Sequence, residues 1–281
     1  MIIDVVGAGP AGSYVAYLLA KKGHSVKVYE KQKTIGKPIQ CTGILSEYFT
    51  SLMNPSKKFV LNTVTKTRIN SPNNNYVETK IKKNYVICRN KFDNYIANLA
   101  KKEGVKFNLE HSFHSFEKQN ECLISKIKHK GKNIKSKSDI LIGADGPLSP
   151  VSKSANLFCN RQFLVGTQIE VKHINDNIVD FFPYLGSYAW IVPVNRETVR
   201  IGVAGYKNTT NIFKQLTKKH IGTNFNKKTI ENQSGVIPIF NPNIELQKDN
   251  VYLIGDAATM LKSTTGGGIN QSLKAAEILA N

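Results

Sequence analysis

The chain has 281 residues, of which 41% are hydrophobic, and its 39 Lys+Arg against 20 Asp+Glu give a net charge of +19. That length can bury a large core as one big domain or two. A mean hydropathy of −0.28 fits a soluble globular protein, and no apolar run approaches the roughly 18 residues that a spanning helix needs. The cysteines Cys41, Cys88, Cys122 and Cys159 are scattered without metal-ligand spacing, so neither disulfides nor zinc are expected, and no metal site is predicted. A strand that begins at Ile2 with Asp4 inside it predicts no signal peptide and no export. The positive balance fits nucleic acid, anionic lipid headgroups or a phosphorylated substrate, and fits equally a solvated surface of biased composition.

In chain order, Ile2 to Val6 reads as an apolar strand, followed by Gly7-Ala8-Gly9-Pro10-Ala11-Gly12 and a helical pattern of Tyr14, Val15, Tyr17, Leu18 and Leu19. This is the glycine fingerprint of dinucleotide-binding folds: Gly7 permits the turn, Gly9 lets a pyrophosphate approach, and Gly12 lets the helix pack on the strand. A second strand, Ser25 to Tyr29, ends at Glu30, about 20 residues after the glycines, where a carboxylate accepts hydrogen bonds from ribose hydroxyls.

An irregular loop from Lys31 to Leu45 and a helical patch near Ser46 to Met53 come next. Val60 to Ile87 alternates polar and apolar residues and turns through Ser71-Pro72-Asn73-Asn74-Asn75, which predicts a hairpin. Arg89 to Val105 places Phe92, Ile96 and Leu99 on one helical face. Phe107 to Ser138 reads as a meander of short strands before the buried strand that ends at Asp145-Gly146. From Phe163 to Ile237 the strand signals predict an antiparallel sheet interrupted by a helix around Asn211 to Lys219. The strand from Val251 then runs into Gly255-Asp256, and Gly266 to Gly268 open a last helix, a place where backbone N–H groups can face an anion.

Three patches therefore accompany the first fingerprint: Arg89 and Asp93 at a helix start, Asp145-Gly146 at a strand end, and Asp256 with the later glycines. The set resembles the p-hydroxybenzoate hydroxylase-like superfamily of FAD-containing oxidoreductases, which includes aromatic hydroxylases and geranylgeranyl reductases, over nearly the whole chain. Two further stretches resemble the geranylgeranyl reductase branch. Ile35 to Leu45 is similar to its segment in which a Pro is followed closely by a Cys and a Gly, and Tyr184 to Gly205 to its Tyr-x-Trp-x-aromatic-Pro signature, with Trp190 and Pro193 in register. Departures from the family pattern are Val192 at the aromatic position, Ile44 at a usual Gly, Thr259 and Ser263 where Gly and Pro are usual, and an end at Asn281 where members commonly continue.

The resemblance implies an α/β fold, α+β overall. A Rossmann-like three-layer FAD-binding domain would span 1–58, 86–160 and 246–281, interleaved with an antiparallel-sheet substrate domain over 59–85 and 161–245. The implied cofactor is FAD, and the implied contacts are Gly7, Gly9, Ala11, Gly12, Glu30, Cys41, Thr42, Ile44, Arg89, Phe113 through its backbone, Asp145, Asp256, Gly266, Gly268 and Ile269. The implied reaction saturates isoprenoid C=C bonds by hydride transfer from N5 of the reduced flavin. Cys41 is a catalytic candidate, and Trp190, Tyr188, Phe181 and Phe182 are candidate pocket walls.

The expected partners are an isoprenoid lipid, an external electron donor (ferredoxin or NAD(P)H) and an anionic membrane surface. No nucleic acid is expected, because no aromatic-interleaved basic strip stands out. The expected location is cytoplasmic, peripheral at the membrane face. A flavin monooxygenase of an aromatic or quinone-like substrate and a non-catalytic prenyl-binding or flavin-binding protein remain as alternatives.

Overall fold

The computed structural model describes all of residues Met1–Asn281. The chain divides into two compact units, one made of Met1–Lys37, Asn90–Gln162 and Pro238–Asn281, the other of Pro38–Arg89 and Phe163–Ile237. Compared with the expected division, Pro38 to Lys58 lies in the second unit. The reason is local pairing: Ile44 and Leu45 form a short strand against Val86 and Tyr85 of the long hairpin.

The first unit is built on a six-stranded sheet in the order Gln247–Lys248, Val251–Leu253, Ile140–Gly143, Ile2–Val6, Ser25–Glu30 and Lys106–Leu109. All its pairings are parallel except the antiparallel edge at Gln247–Lys248. Parallel strands need both faces covered. An antiparallel meander, His111–Gln119, Cys122–His129 and Lys132–Ser138, covers one face. Its Phe113, Leu123 and Ile127 pack with Val6, Tyr29, Leu141 and Leu253 of the sheet. The helices Pro10–Lys21 and Ile269–Ala280 pack against each other and bury Val15, Leu19, Leu273 and Ala276. The helix Arg89–Lys102 buries Phe92, Ile96, Ala97 and Ala100, with Leu99 only half-buried.

The second unit is an eight-stranded sheet in the order Thr229–Pro238, Phe163–Lys172, Thr198–Gly205, Tyr188–Asn195, Val179–Phe182, Val60–Asn70, Tyr76–Ile87 and Ile44–Leu45. It is mixed rather than purely antiparallel, because Val179–Phe182 pairs in parallel with Val60–Asn70. The predicted hairpin closes at Ser71–Asn75, where Asn74 adopts φ 65°. The helical patch after Ser46 is a single 3₁₀ stretch, Glu47–Ser51.

Side-chain alternation gives this sheet two different faces. On one, Ile169, Val171, Val199, Ile201, Val203 and Phe182 pack with Phe213, Leu216 and Ile221 of the helix Thr209–Ile221. On the other, register aligns Gln168, Gly202, Trp190, Phe181 and Ile69 in one row, with Glu170, Arg200 and Val192 in the next. Phe182 therefore belongs to the core face and is separated from the other candidate wall residues by the two-residue period of its strand.

Candidate cofactor and substrate site

The first glycine turn is closed tightly on itself. A Cβ on Gly7, which adopts φ +102°, would lie 2.3 Å from Ala144 O, and one on Gly12 would lie 2.0 Å from Gly7 O. A Cβ on Gly9 would meet nothing within 4 Å, so this position is open to a ligand. The helix that follows has Pro10 at its start, no side-chain cap on Gly9 and no acid in its first turn, which favours an anion at its N-terminus. Glu30 holds the turn: its two carboxylate oxygens accept from the N–H groups of Ala8 and Gln32, each at 2.8 Å. Each oxygen has further lone-pair capacity for a hydroxyl.

The second glycine turn reaches the same helix. Gly255 adopts φ +66°, and a Cβ there would lie 3.0 Å from Ala11 Cβ and 3.4 Å from Ser272 Oγ. Asp256 follows on the surface, and a Cβ on Gly268 would lie 3.4 Å from its Oδ1. The loop closes through Gly266 N–H to Lys262 O at 2.9 Å and Lys262 N–H to Gly267 O at 3.1 Å. Gly268 then opens the last helix, again with no side-chain cap and no acid in the first turn.

Gly7, Gly9, Ala11, Gly12, Glu30, Asp256, Gly266, Gly268 and Ile269 thus share one unit, with Ala11 and Gly255 in close approach. Two uncapped helix N-termini, one sterically open glycine and two carboxylates fit the pyrophosphate and the hydroxyls of FAD. Asp145 lies in the same unit. Its carboxylate accepts from Ser149 Oγ–H and, at 3.0 Å, from Val151 N–H, capping the turn Pro150–Ser154. Burial raises its pKa, and these hydrogen bonds oppose the shift. Phe113 buries its ring in the meander core beside a bulge between Phe113 and Ser115, so it can offer only backbone.

In the second unit, Gly43 N–H donates to Cys41 Sγ at 3.4 Å, and Gly43 O accepts from Ile87 N–H at 2.8 Å. Arg200 donates from Nη1 to Thr42 O at 2.7 Å and to Ile87 O at 3.0 Å, and from Nε to Glu170 Oε2 at 2.9 Å. Arg89 stands half-buried at the start of its helix.

Trp190 Nε1–H donates to Gln168 Oε1 at 2.7 Å, Gln168 Nε2–H to Gln233 Oε1, and Gln233 Nε2–H to Glu231 Oε2 at 2.8 Å. The indole crosses Gly202, where a Cβ would lie 2.5 Å from Trp190 Cζ2. Tyr188 stacks on Phe181 at 6.2 Å and lies tilted against Trp190 at 5.7 Å. Burial, helped by Cys41, pushes the Tyr188 phenol up to about 12. The polar members of this face, Arg200, Glu170, Gln168 and Gln233, were absent from the sequence reading. Their signal was charge and amide inside otherwise apolar strands, as in Thr198-Val199-Arg200-Ile201.

Residues 2–281 match the family described as "FAD binding domain". The chain is 30% identical to digeranylgeranylglycerophospholipid reductase 2 of Methanosphaera stadtmanae, over 97% of this chain and 75% of the relative. It is 29% identical to digeranylgeranylglycerophospholipid reductase of Methanococcus vannielii, over 96% and 73%. Among solved structures, a geranylgeranyl bacteriochlorophyll reductase-like protein from Thermoplasma acidophilum superimposes with a TM-score of 0.90 at 24% identity, covering 99% of this chain and 76% of that one. The chain belongs to the FAD binding domain family and, within it, to the geranylgeranyl reductases.

Proposed function

We propose that this chain is an FAD-dependent reductase that saturates isoprenoid C=C bonds of geranylgeranyl lipids of the archaeal membrane type. The observation that carries the reading is the likeness to digeranylgeranylglycerophospholipid reductase 2 across 97% of the chain, together with a cradle whose open glycine and uncapped helices suit FAD. Bound FAD, once reduced, supplies the hydride.

The chain's own residues do the rest. The turns at Gly7–Gly12 and Gly266–Ile269 bind the pyrophosphate, Glu30 and Asp256 orient the hydroxyls, and Cys41, Thr42 and Ile44 contact the flavin. Tyr188, Trp190 and Phe181 present an apolar wall that holds the isoprenoid chain and excludes water. Tyr188 keeps its proton on Oη through the physiological range.

To test the function, the protein would be reduced anaerobically with dithionite and mixed with a geranylgeranyl glycerophospholipid. Reoxidation of the flavin bands by the lipid, without oxygen, is expected. A flavin that reoxidises only with oxygen would overturn the reductase in favour of a monooxygenase. The external donor is ferredoxin or NAD(P)H, and comparing the two as reductants in the same spectrophotometer decides between them.

Peripheral contact with an anionic membrane is also part of this reading. The hairpin Val60–Ile87 exposes Ile69 (45%), Tyr76 (57%) and Val77 (67%) and also carries Lys66, Lys80, Lys82 and Lys83. Tyr76 has the apolar body and polar tip that suit an interface, and each well-placed lysine contributes about 1 kcal/mol at low salt. Binding to phosphatidylserine vesicles is expected to fall as salt rises and to weaken in Val77→Asp; salt-independent binding would remove the contact from this reading.

A further inference from the structure

Arg200 sits mid-strand and is 2% exposed. A buried guanidinium is tolerated only where its donors find acceptors, and here the acceptors come from three separate parts of the chain. Glu170 lies directly opposite Arg200 in the ladder, and the Thr42 and Ile87 carbonyls take Nη1. Both carbonyls flank Gly43, which adopts φ +73°; a Cβ there would lie 2.7 Å from Ile87 O and 2.9 Å from Arg200 Nη1. The segment is therefore pressed against the guanidinium with no room for a side chain at residue 43.

The ladder beside it is too short to hold the loop alone, since only Ile44 and Leu45 pair with the hairpin. Within the loop the orientation of Cys41 follows Gly43, whose N–H donates to Sγ. Arg200 thus ties the Cys41–Ile44 segment to the sheet through a buried guanidinium, beside the Ile87 N–H to Gly43 O bond, and Glu170 fixes the direction of that tie.

We propose that Arg200, held by Glu170, is the positioning residue of the Cys41–Ile44 segment and that it fixes the Cys41 thiol and the Thr42 backbone in the arrangement that receives the flavin. The proposal rests on the reading above that this segment contacts FAD. It concerns geometry at the flavin rather than chemistry on the substrate, since Arg200 acts through the segment it holds.

The test uses Arg200→Met, Arg200→Lys and Glu170→Gln. The labelling rate of Cys41 by iodoacetamide is read against that of the exposed Cys159 in the same molecule, with FAD affinity followed by flavin fluorescence and the potential of the bound flavin by dye titration. In Arg200→Met, Cys41 is expected to label about fivefold faster with Cys159 unchanged, FAD to bind about tenfold more weakly, and the potential to move. Arg200→Lys, which can still reach one carbonyl, should restore part of each. Glu170→Gln keeps size and an acceptor, so it gives the same comparison at smaller amplitude if Arg200→Met does not fold.

A matching rise at Cys159, or an unchanged Cys41 rate in a folded variant, overturns the positioning role. Faster Cys41 labelling with unchanged FAD affinity overturns its link to the flavin. A wild-type protein that takes up no FAD breaks the reading of the segment instead, and the labelling contrast still decides whether Arg200 positions it.

Discussion

The glycine cradle of the first unit and the polar face of the second unit's sheet solve different problems. The cradle works by leaving side chains out: Gly7 and Gly12 lie where a Cβ would strike backbone at 2.3 and 2.0 Å, while Gly9 faces open space. The sheet face works by filling a buried surface with side chains that satisfy one another, from Glu170 and Arg200 to Gln168 and Trp190. Backbone cradles are therefore sensitive to added atoms, and side-chain networks to removed partners.

The largest expected effect breaks the cradle. Gly12→Ala must push the Gly7 carbonyl away, and overpacking of this kind typically costs about 1–3 kcal/mol, here at a site with no flexible neighbour to yield. Both thermal stability and FAD binding should drop. Gly9→Ala sharpens the contrast: its melting temperature should stay that of the wild type while FAD affinity falls at least about tenfold. Equal melting losses in the two variants would show that residue 9 is packed rather than open.

On the sheet face the next effect is optical. Gly202→Ala places its Cβ 2.5 Å from Trp190 Cζ2 and 2.8 Å from Gln168 Cβ, so the indole must swing off and lose its bond to Gln168. Because Trp190 is the sole tryptophan, its emission should shift to longer wavelength on exposure to water. An unchanged spectrum would mean that the row tolerates the methyl group and that Trp190 is not held by the glycine.

A smaller, pH-dependent effect separates the two regions again. Asp4, on a central strand of the first unit, is 0% exposed, with the Ser136 and Ser138 hydroxyls as its polar neighbours. Burial pushes its carboxyl up to about 6, with the nearby Ser136 hydroxyl, the Lys27 charge and the Ser138 hydroxyl offsetting part of the shift. The folded state then binds the proton more tightly than the unfolded chain. This group's contribution is complete below pH 4 and is lost as pH rises through about 6, at most about 3 kcal/mol. Denaturant titrations at pH 4 and pH 7 should show Asp4→Asn gaining on the wild type by up to that amount. A pH-independent difference would mean that the carboxyl is solvated after all.

Legibility followed the same contrast. The cradle was readable because glycine requirements are local: turn, approach and packing act within a few residues of Gly7–Gly12 and Gly266–Gly268, and they leave a spacing in the sequence. The charge of Arg200 inside an apolar strand is visible but its role is not, because its acceptors Thr42 and Ile87 are 158 and 113 residues away and no local pattern announces them. Asp145 shows the intermediate case. Its place at a strand end is visible in the sequence, whereas the bonds of its carboxylate to Ser149 and Val151 become visible only in the folded turn. Residue type groups Phe182 with Trp190, whereas strand alternation turns it to the opposite face.

The strand order of the first unit constrains how the chain acquires its shape. Ile2–Val6 precedes its sheet neighbour Ile140–Gly143 and the next strand, Val251–Leu253, by long stretches of chain that include segments of the second unit. During synthesis the earlier of these neighbouring strands must wait with one parallel edge unpaired, the arrangement that is slow to close and prone to aggregate. Neither unit can be cut out as one continuous segment of chain, so dissecting the protein calls for circular permutants or split halves that reassemble.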